Sequence, residues 1–247
     1  MEIKSSLRTS SVARAARELL TGMGEISNTP FKSIVRNLKK FKITAVIDVG
    51  ANVGQFGLDV RRHGFEKLIV SYEPVQETFR SLSQTIKQHQ PWKAFQLGLG
   101  DTESEKYINI SGNAGLSSSL LTMGKVHIEN FPESATISTQ KVSISTLDNQ
   151  LEALDLDPEK ILLKLDVQGY EAEVLKGAVK SMSRIPLCFL EVSIVPLYEG
   201  EITLLPILKL LSESGHEVID VFRGLKTKNG QLLQLDILTK QVSSKSY

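Results

Sequence analysis

The segment Ala45-Val46-Ile47-Asp48-Val49-Gly50-Ala51-Asn52-Val53-Gly54-Gln55-Phe56 constrains the fold of this chain more than any other. In it, an apolar run interrupted by one carboxylate passes into small, turn-forming residues. β-Branched Val46, Ile47 and Val49 favour an extended strand, Gly50 and Gly54 permit backbone angles that a β-carbon disfavours, and the following positions read as a helix start. A strand that opens through such a turn into a helix presents unpaired amide donors at the helix N-terminus. These attract an anionic group such as a nucleotide or a carboxylate.

The glycine spacing discriminates between ligands. A dinucleotide turn has the pattern G-x-G-x-x-G, which lets the backbone press on a pyrophosphate. Here the middle position is Asn52, and the glycines stand at 50, 54 and 57. Asp48 would repel a pyrophosphate, yet its carboxylate can accept hydrogen bonds from an ammonium group. S-adenosylmethionine carries that ammonium, a carboxylate for the helix end and no phosphate, so D-x-G-x-N-x-G suits it better than NAD. The next apolar run, Lys67 to Tyr72, ends at Glu73-Pro74, where an acid can bind paired ribose hydroxyls. Asp48, Gly50, Asn52 and Gly54 are therefore expected at the methionyl part of this cofactor, and Glu73 at its ribose.

With 247 residues, 41% of them hydrophobic and 23% charged, the chain can bury a substantial core, and one large domain is the simplest reading. A net charge of +1 gives no global pull toward nucleic acid or an anionic membrane. The first 42 residues differ, with nine lysines and arginines against three glutamates, or +6. That stretch is either a contact for an acidic polymer or lipid, or the solvated face of amphipathic helices. Cys188 is the single cysteine and lies in an apolar run, so an intramolecular disulfide and a cysteine-based zinc cluster are excluded. The histidines at 63, 89, 127 and 216 lack zinc-ligand spacing, and no metal is expected. No stretch is long and apolar enough to span a bilayer, and the N-terminus lacks a signal-peptide core, so a cytoplasmic setting is the default expectation.

Apolar residues recur at helical spacing from Val12 to Met23 and from Phe31 to Phe41, which predicts an N-terminal helical extension over 1–42 ahead of a domain at 43–247. A helix over about 54–63 stops at Gly64, a strand follows over 67–72, and Val75, Phe79, Leu82 and Ile86 mark one face of the next helix. Trp92 to Leu97 make a third strand ending at Gly98-Leu99-Gly100-Asp101. This β-α-β-α-β order predicts an α/β, Rossmann-like, doubly wound, mostly parallel sheet. Short strands at 107–110 and 142–144 flank a polar loop that reads as a lid or as a spacer. Strands over 161–166 and 187–192 alternate with helices, and closing strands near 216–222 and 232–239, joined through Asn229-Gly230, predict a C-terminal antiparallel hairpin.

Three segments give the chain its resemblance to the FkbM-type methyltransferases, which are S-adenosylmethionine-dependent and Rossmann-like. They are Val46 to Gly54, Thr146-Leu147-Asp148, and Leu163-Lys164-Leu165-Asp166-Val167-Gln168-Gly169-Tyr170-Glu171 continuing to Ala178. The family's usual form of the third is K-x-D-x-E-G-x-E-x-x-V-L-x-G-A, and Gln168 here replaces the common glutamate, which removes a charge. The resemblance spans roughly 43–240. It implies methylation of a hydroxyl oxygen on a small molecule, sugar or glycan; the balanced charge leads to no expectation of a specific nucleic-acid partner, and a homo-oligomer is left open.

Such a transfer is an in-line displacement that needs a positioned acceptor oxygen and a group to accept its proton. Asp166, at the carboxyl end of a strand where open α/β sheets bind ligands, is the first candidate for base or acceptor-orienting group, and Glu191 is the second. Lys164 can pair with Asp166 and keep it ionised. Fold analogy puts Gly100 and Asp101 beside the adenine. The competing readings are an NAD-dependent oxidoreductase and a non-catalytic binding module that uses the basic N-terminal helices.

Overall fold

The computed structural model describes residues 30–242, and the helix expected from Val12 to Met23 lies outside them. Helix α1 (Pro30–Lys40) leads into strand β1 (Ala45–Val49), helix α2 (Gln55–Arg62), strand β2 (Leu68–Tyr72), helix α3 (Gln76–Thr85) and strand β3 (Trp92–Phe95). Next come β4 (Gly98–Leu99), β5 (Ser104–Ser111), α4 (Lys125–Asn130) and β6 (Thr136–Ser145). The chain continues through α5 (Leu147–Ala153), β7 (Ile161–Leu165), α6 (Glu171–Lys176), β8 (Leu187–Ser193), α7 (Leu204–Glu213), β9 (His216–Arg223) and β10 (Gln234–Gln241).

Seven strands form the main sheet in the order β3-β2-β1-β7-β8-β10-β9. The first five run parallel, and β10 is antiparallel to both β8 and β9, which is the expected C-terminal hairpin. Every residue of β1 and β7 is buried, as befits central strands covered by helices on both faces. Their side chains alternate between two apolar layers. Ile47, Leu163 and Leu190 pack with Leu147 of α5, Val174 of α6 and Ile207 of α7. Val46, Leu162 and Phe189 pack on the other face with Ile34 of α1, Phe56 and Val60 of α2 and Leu82 of α3.

Two expectations are revised. Helix α1 belongs to the domain core: Ile34 and Leu38 are 0% and 2% exposed, Ser33 Oγ donates to Asp220 Oδ2 on β9 at 2.6 Å, and the compact unit begins at Phe31, not at residue 43. The third strand also ends at Phe95 instead of Leu97. Gly98 and Leu99 leave the main sheet to pair in parallel with Ile144 and Ser145 of β6, in a second sheet ordered β4-β6-β5. The short strands expected at 107–110 and 142–144 are parts of the long antiparallel pair β5 and β6, which carries residues 112–135 between its arms. No helix among the described residues is long and apolar enough to cross a membrane.

Trp92 anchors the corner where α2 meets β2 and β3. Its ring is 2% exposed and its Nε1 donates to Ser71 Oγ at 3.0 Å. A β-carbon at Gly57 would collide with that ring. Helix propensity alone would favour Gly57→Ala by about 1 kcal/mol. Because the indole is held on all sides, overpacking should prevail, and Gly57→Ala is expected to destabilise the fold by about 1–3 kcal/mol, read as a lowered urea midpoint with unchanged m-value.

Candidate active site

A cavity of about 230 Å³ lies where β1, β2 and β7 end, with its walls supplied by the segments that follow those three strands and by Gly98 and Leu99. The turn after β1 is built around a close approach. Gly50 sits at φ +73°, and a β-carbon there would collide with the carbonyl oxygen of Asp166, so only glycine lets β1 and β7 open side by side. The amides of Gly50 and Ala51 both donate to the Tyr72 carbonyl, at 3.0 and 3.1 Å. Asn52 takes φ 48°, and its amide donates to Glu73 Oε2 at 2.9 Å, while its own Oδ1 accepts from the Val53 amide at 2.8 Å and from Gln55 Nε2 at 3.1 Å. The other Glu73 oxygen accepts from the Val75 amide at 2.9 Å. Glu73 is thus fastened at both oxygens, and burial pushes its carboxyl up to about 7 in spite of those amides.

Behind this turn lies a buried cation. Lys164, 5% exposed, places Nζ 2.9 Å from Asp48 Oδ1 and 3.7 Å from Asp166 Oδ2, and donates to the Gly50 carbonyl at 2.9 Å. The Phe56 ring covers it at 5.7 Å. Burial works against the ammonium, but the Asp48 and Asp166 carboxylates outweigh it and hold the group above its ordinary value. Asp48 is fully buried, and its Oδ2 accepts from Ser71 Oγ at 3.3 Å; Oδ1 meets Lys164 as a charge contact without an aligned hydrogen bond.

Asp166 stands at the cavity wall with its side chain 40% exposed, and its Oδ1 accepts from Gln168 Nε2 at 2.7 Å. Half-buried Glu191 is within β8 and accepts from the same Nε2 and from Gln234 Nε2, both at 3.0 Å. Burial, then the nearby Asp166 and Asp236, raise its carboxyl well above the usual range. The segment between β5 and α4 closes the cavity with Gly115, Leu116, Ser118 and Leu120. Its Ser119 Oγ donates to the Gln168 carbonyl at 2.6 Å, and Tyr198 Oη lies 3.0 Å from the Ser117 carbonyl. This polar stretch is therefore a lid rather than a spacer.

Of the residues singled out from sequence, Gly50, Asn52, Glu73, Lys164 and Asp166 come together on the cavity wall. The other five do not line it. Asp48 sits behind Lys164, and Gly54, at φ +96°, turns the chain into α2 against Leu82 and Trp92. Glu191 lies beneath Gln168. Gly100 packs on Ile144 and Tyr170, and Asp101 is exposed, because the third strand ends two residues early and brings Gly98 and Leu99 to the wall instead. Tyr72 and Tyr170, which the sequence did not single out, also line the cavity, as does Gln168, which stood out only as a lost charge. Tyr72 lines the cavity with a buried hydroxyl that has no partner, and Tyr170 Oη accepts from Lys106 Nζ at 2.7 Å. The Gln168-Gly169 pair, with φ of 56° and 92°, carried a turn signal next to Asp166.

Sheet order, helix layers and a cavity at the strand ends define a Rossmann-like methyltransferase fold. A Klebsiella pneumoniae protein provisionally designated an O-methyltransferase is similar in structure, with a TM-score of 0.50 over 89% of this chain and 83% of that one; at 9% identity the likeness concerns the fold alone. The methyltransferase FkbM domain model matches residues 48–226, and the chain belongs to that family, whose methyl donor is S-adenosylmethionine. Similar relatives are Methyltransferase 1 of Beauveria bassiana, 26% identical over 142 residues, and Methyltransferase sdnD of Sordaria araneosa, 28% identical over 159. Each match covers 53% of this chain, and 57% and 59% of those proteins respectively.

The buried triad gives a stability prediction. Lys164→Met would leave Asp48 charged with no cation in the core, a change that costs about 3–5 kcal/mol. Adding Asp48→Asn is expected to recover a measurable part of that loss, so a denaturation double-mutant cycle should show strong non-additivity.

Proposed function

We propose that this chain transfers a methyl group from S-adenosylmethionine to a hydroxyl oxygen of a small-molecule or glycan acceptor. The observation that carries this reading is Asp166: a half-exposed carboxylate on the cavity wall, 3.7 Å from a buried lysine that Asp48 meets from behind. The residues present fit the cofactor. Glu73 offers its remaining lone pairs to ribose hydroxyls, the small residues Gly50, Ala51 and Gly98 leave room for close approach, and the unpartnered Tyr72 hydroxyl supplies a further polar contact. Gln55 and the start of α2 offer donors to a carboxylate. Asp48, being behind Lys164, supports the site without touching the ligand.

When bound, S-adenosylmethionine supplies an electrophilic methyl carbon on a sulfonium. The protein's part is to orient and to move a proton. Asp166 accepts the proton of the acceptor hydroxyl, and Lys164, 3.7 Å away, fixes that carboxylate in place. Leu116, Leu120 and Phe56 present apolar surface that excludes water from the reacting atoms. An NAD-linked reaction has less support, because Asn52 stands where a dinucleotide turn requires glycine.

Two measurements test the reading. Incubation with methyl-labelled S-adenosylmethionine and an extract of the source organism should yield an O-methylated product, and Asp166→Asn should lower its rate by about 10²–10⁴-fold with little change in cofactor affinity. A label found on nitrogen or carbon, or full activity in the variant, would overturn it. The second concerns pH. Glu73 is pushed up to about 7, so it is mostly ionised at pH 8 and mostly protonated at pH 6, where it accepts fewer hydrogen bonds. Calorimetric affinity for S-adenosylmethionine should fall about tenfold between those values, and Glu73→Ala should be weaker throughout and lose the dependence.

A further inference from the structure

We propose that Gln168 is a positioning residue: its side-chain amide separates Asp166 from Glu191, fixes the Asp166 carboxylate at the cavity wall, and ties that carboxylate to the seated lid. The idea rests on the reading of Asp166 as the proton acceptor. Gln168 Nε2 has two hydrogens and two carboxylate partners, Asp166 Oδ1 at 2.7 Å and Glu191 Oε2 at 3.0 Å. The reversed amide would aim a carbonyl oxygen at both acids, which fixes its orientation. Its Oε1 then accepts from Tyr198 Oη at 2.8 Å, and that hydroxyl also lies 3.0 Å from the lid carbonyl of Ser117. On the main chain, the Gln168 carbonyl accepts from Ser119 Oγ of the lid at 2.6 Å. One residue therefore touches the base, the second acid and, at Ser119, the lid, with Tyr198 beside it reaching a second lid residue, Ser117.

The backbone is shaped for this task. Gln168 takes φ 56°, uncommon for a residue with a β-carbon, and Gly169 follows at φ 92° with the Tyr198 ring against it. Such a conformation persists when the surroundings over-determine it, and here four hydrogen bonds do so. The charges around Asp166 explain why an amide is needed. Lys164 of β7 faces it with Asp48 behind, while the carboxyl groups of Glu171 of α6, Glu191 of β8 and Asp236 of β10 crowd around it. Burial raises Glu171 to about 8 and Asp236 to about 7, so the neutral amide avoids adding a further acid to a crowded group.

The test reads Asp166 directly. In the full chain labelled with ¹³C-aspartate, and with Asp166→Asn to assign the signal, the Asp166 carboxyl carbon is titrated by NMR. Gln168→Glu is expected to raise its midpoint by about one pH unit or more, because a third carboxylate enters hydrogen-bond range. Tyr198→Phe keeps the ring and deletes only the hydroxyl that holds the amide. It is expected to shift the midpoint the same way and to speed hydrogen exchange of the amides at 117–120 by about tenfold. A midpoint unchanged in both variants, with exchange at 117–120 unaltered, would overturn the proposal. Calorimetry of the wild-type chain with S-adenosylmethionine separates the two readings. Absence of binding would sink the methyl-transfer reading alone, whereas binding with an unmoved midpoint would sink the role of Gln168.

Discussion

The structure depends on a single ammonium group held in the protein interior. Lys164 points from the central strand β7 toward β1, where Asp48 stands beside it in register, and its Nζ also caps the Gly50 carbonyl at the start of the binding turn. Removing two charges from water is costly, and a buried pair of this kind adds little net stability compared with well-packed apolar residues. Its value is positional. Lys164 links the first strand, the glycine turn and Asp166, so three pieces of the cavity are registered to one atom.

That constraint explains the local geometry around it. Because β1 and β7 run side by side to their ends, the chain after each must turn away at once, and the Gly50 backbone lies against the Asp166 carbonyl with no room for a side chain. The acid after β2 is then within reach of the Asn52 amide, and Glu73 locks the turn from the other side. Ser71 and Trp92 extend the chain of contacts from Asp48 to the helix layer, which gives the site a rigid floor. The lid is attached differently, by main-chain bridges of Ser119 to Asn109 and of Met123 to Tyr198, by Ser119 Oγ on the Gln168 carbonyl, and by Leu120 packed with Val75 and Ile108.

Much of this was legible in the residues. Alternation of apolar runs and helical faces indicated parallel strands, and Gly50, Asn52, Glu73 and Asp166 converge on one cavity wall because each stands just after a strand that ends at the same edge of the sheet. Asp48 was read as a ligand contact because an acid in a binding turn suggests one; that Lys164 occupies it became visible only when the register of β1 against β7 was known. Gly100 and Asp101 were misplaced for a similar reason, since nothing in Phe95-Gln96-Leu97-Gly98 announces that the strand ends early and changes sheets. Gln168 was noted only as a lost charge. Its contacts come from β8, the lid and Tyr198, which are remote in sequence, and no periodicity carries that information.

The two-residue strand β4 has a consequence for how such an enzyme changes its diet. Gly98 and Leu99 join the β5 and β6 arms to the end of the main sheet through a short seam, and the segment 112–135 carried between those arms brings Gly115, Leu116, Ser118 and Leu120 to the cavity wall. Lengthening the turn at 112–116, which is exposed or half-buried throughout, adds only a slowly growing closure entropy, about 0.6 kcal/mol per doubling. The cavity mouth can therefore be reshaped by rewriting that turn alone, leaving the strand ends and the buried Lys164 untouched.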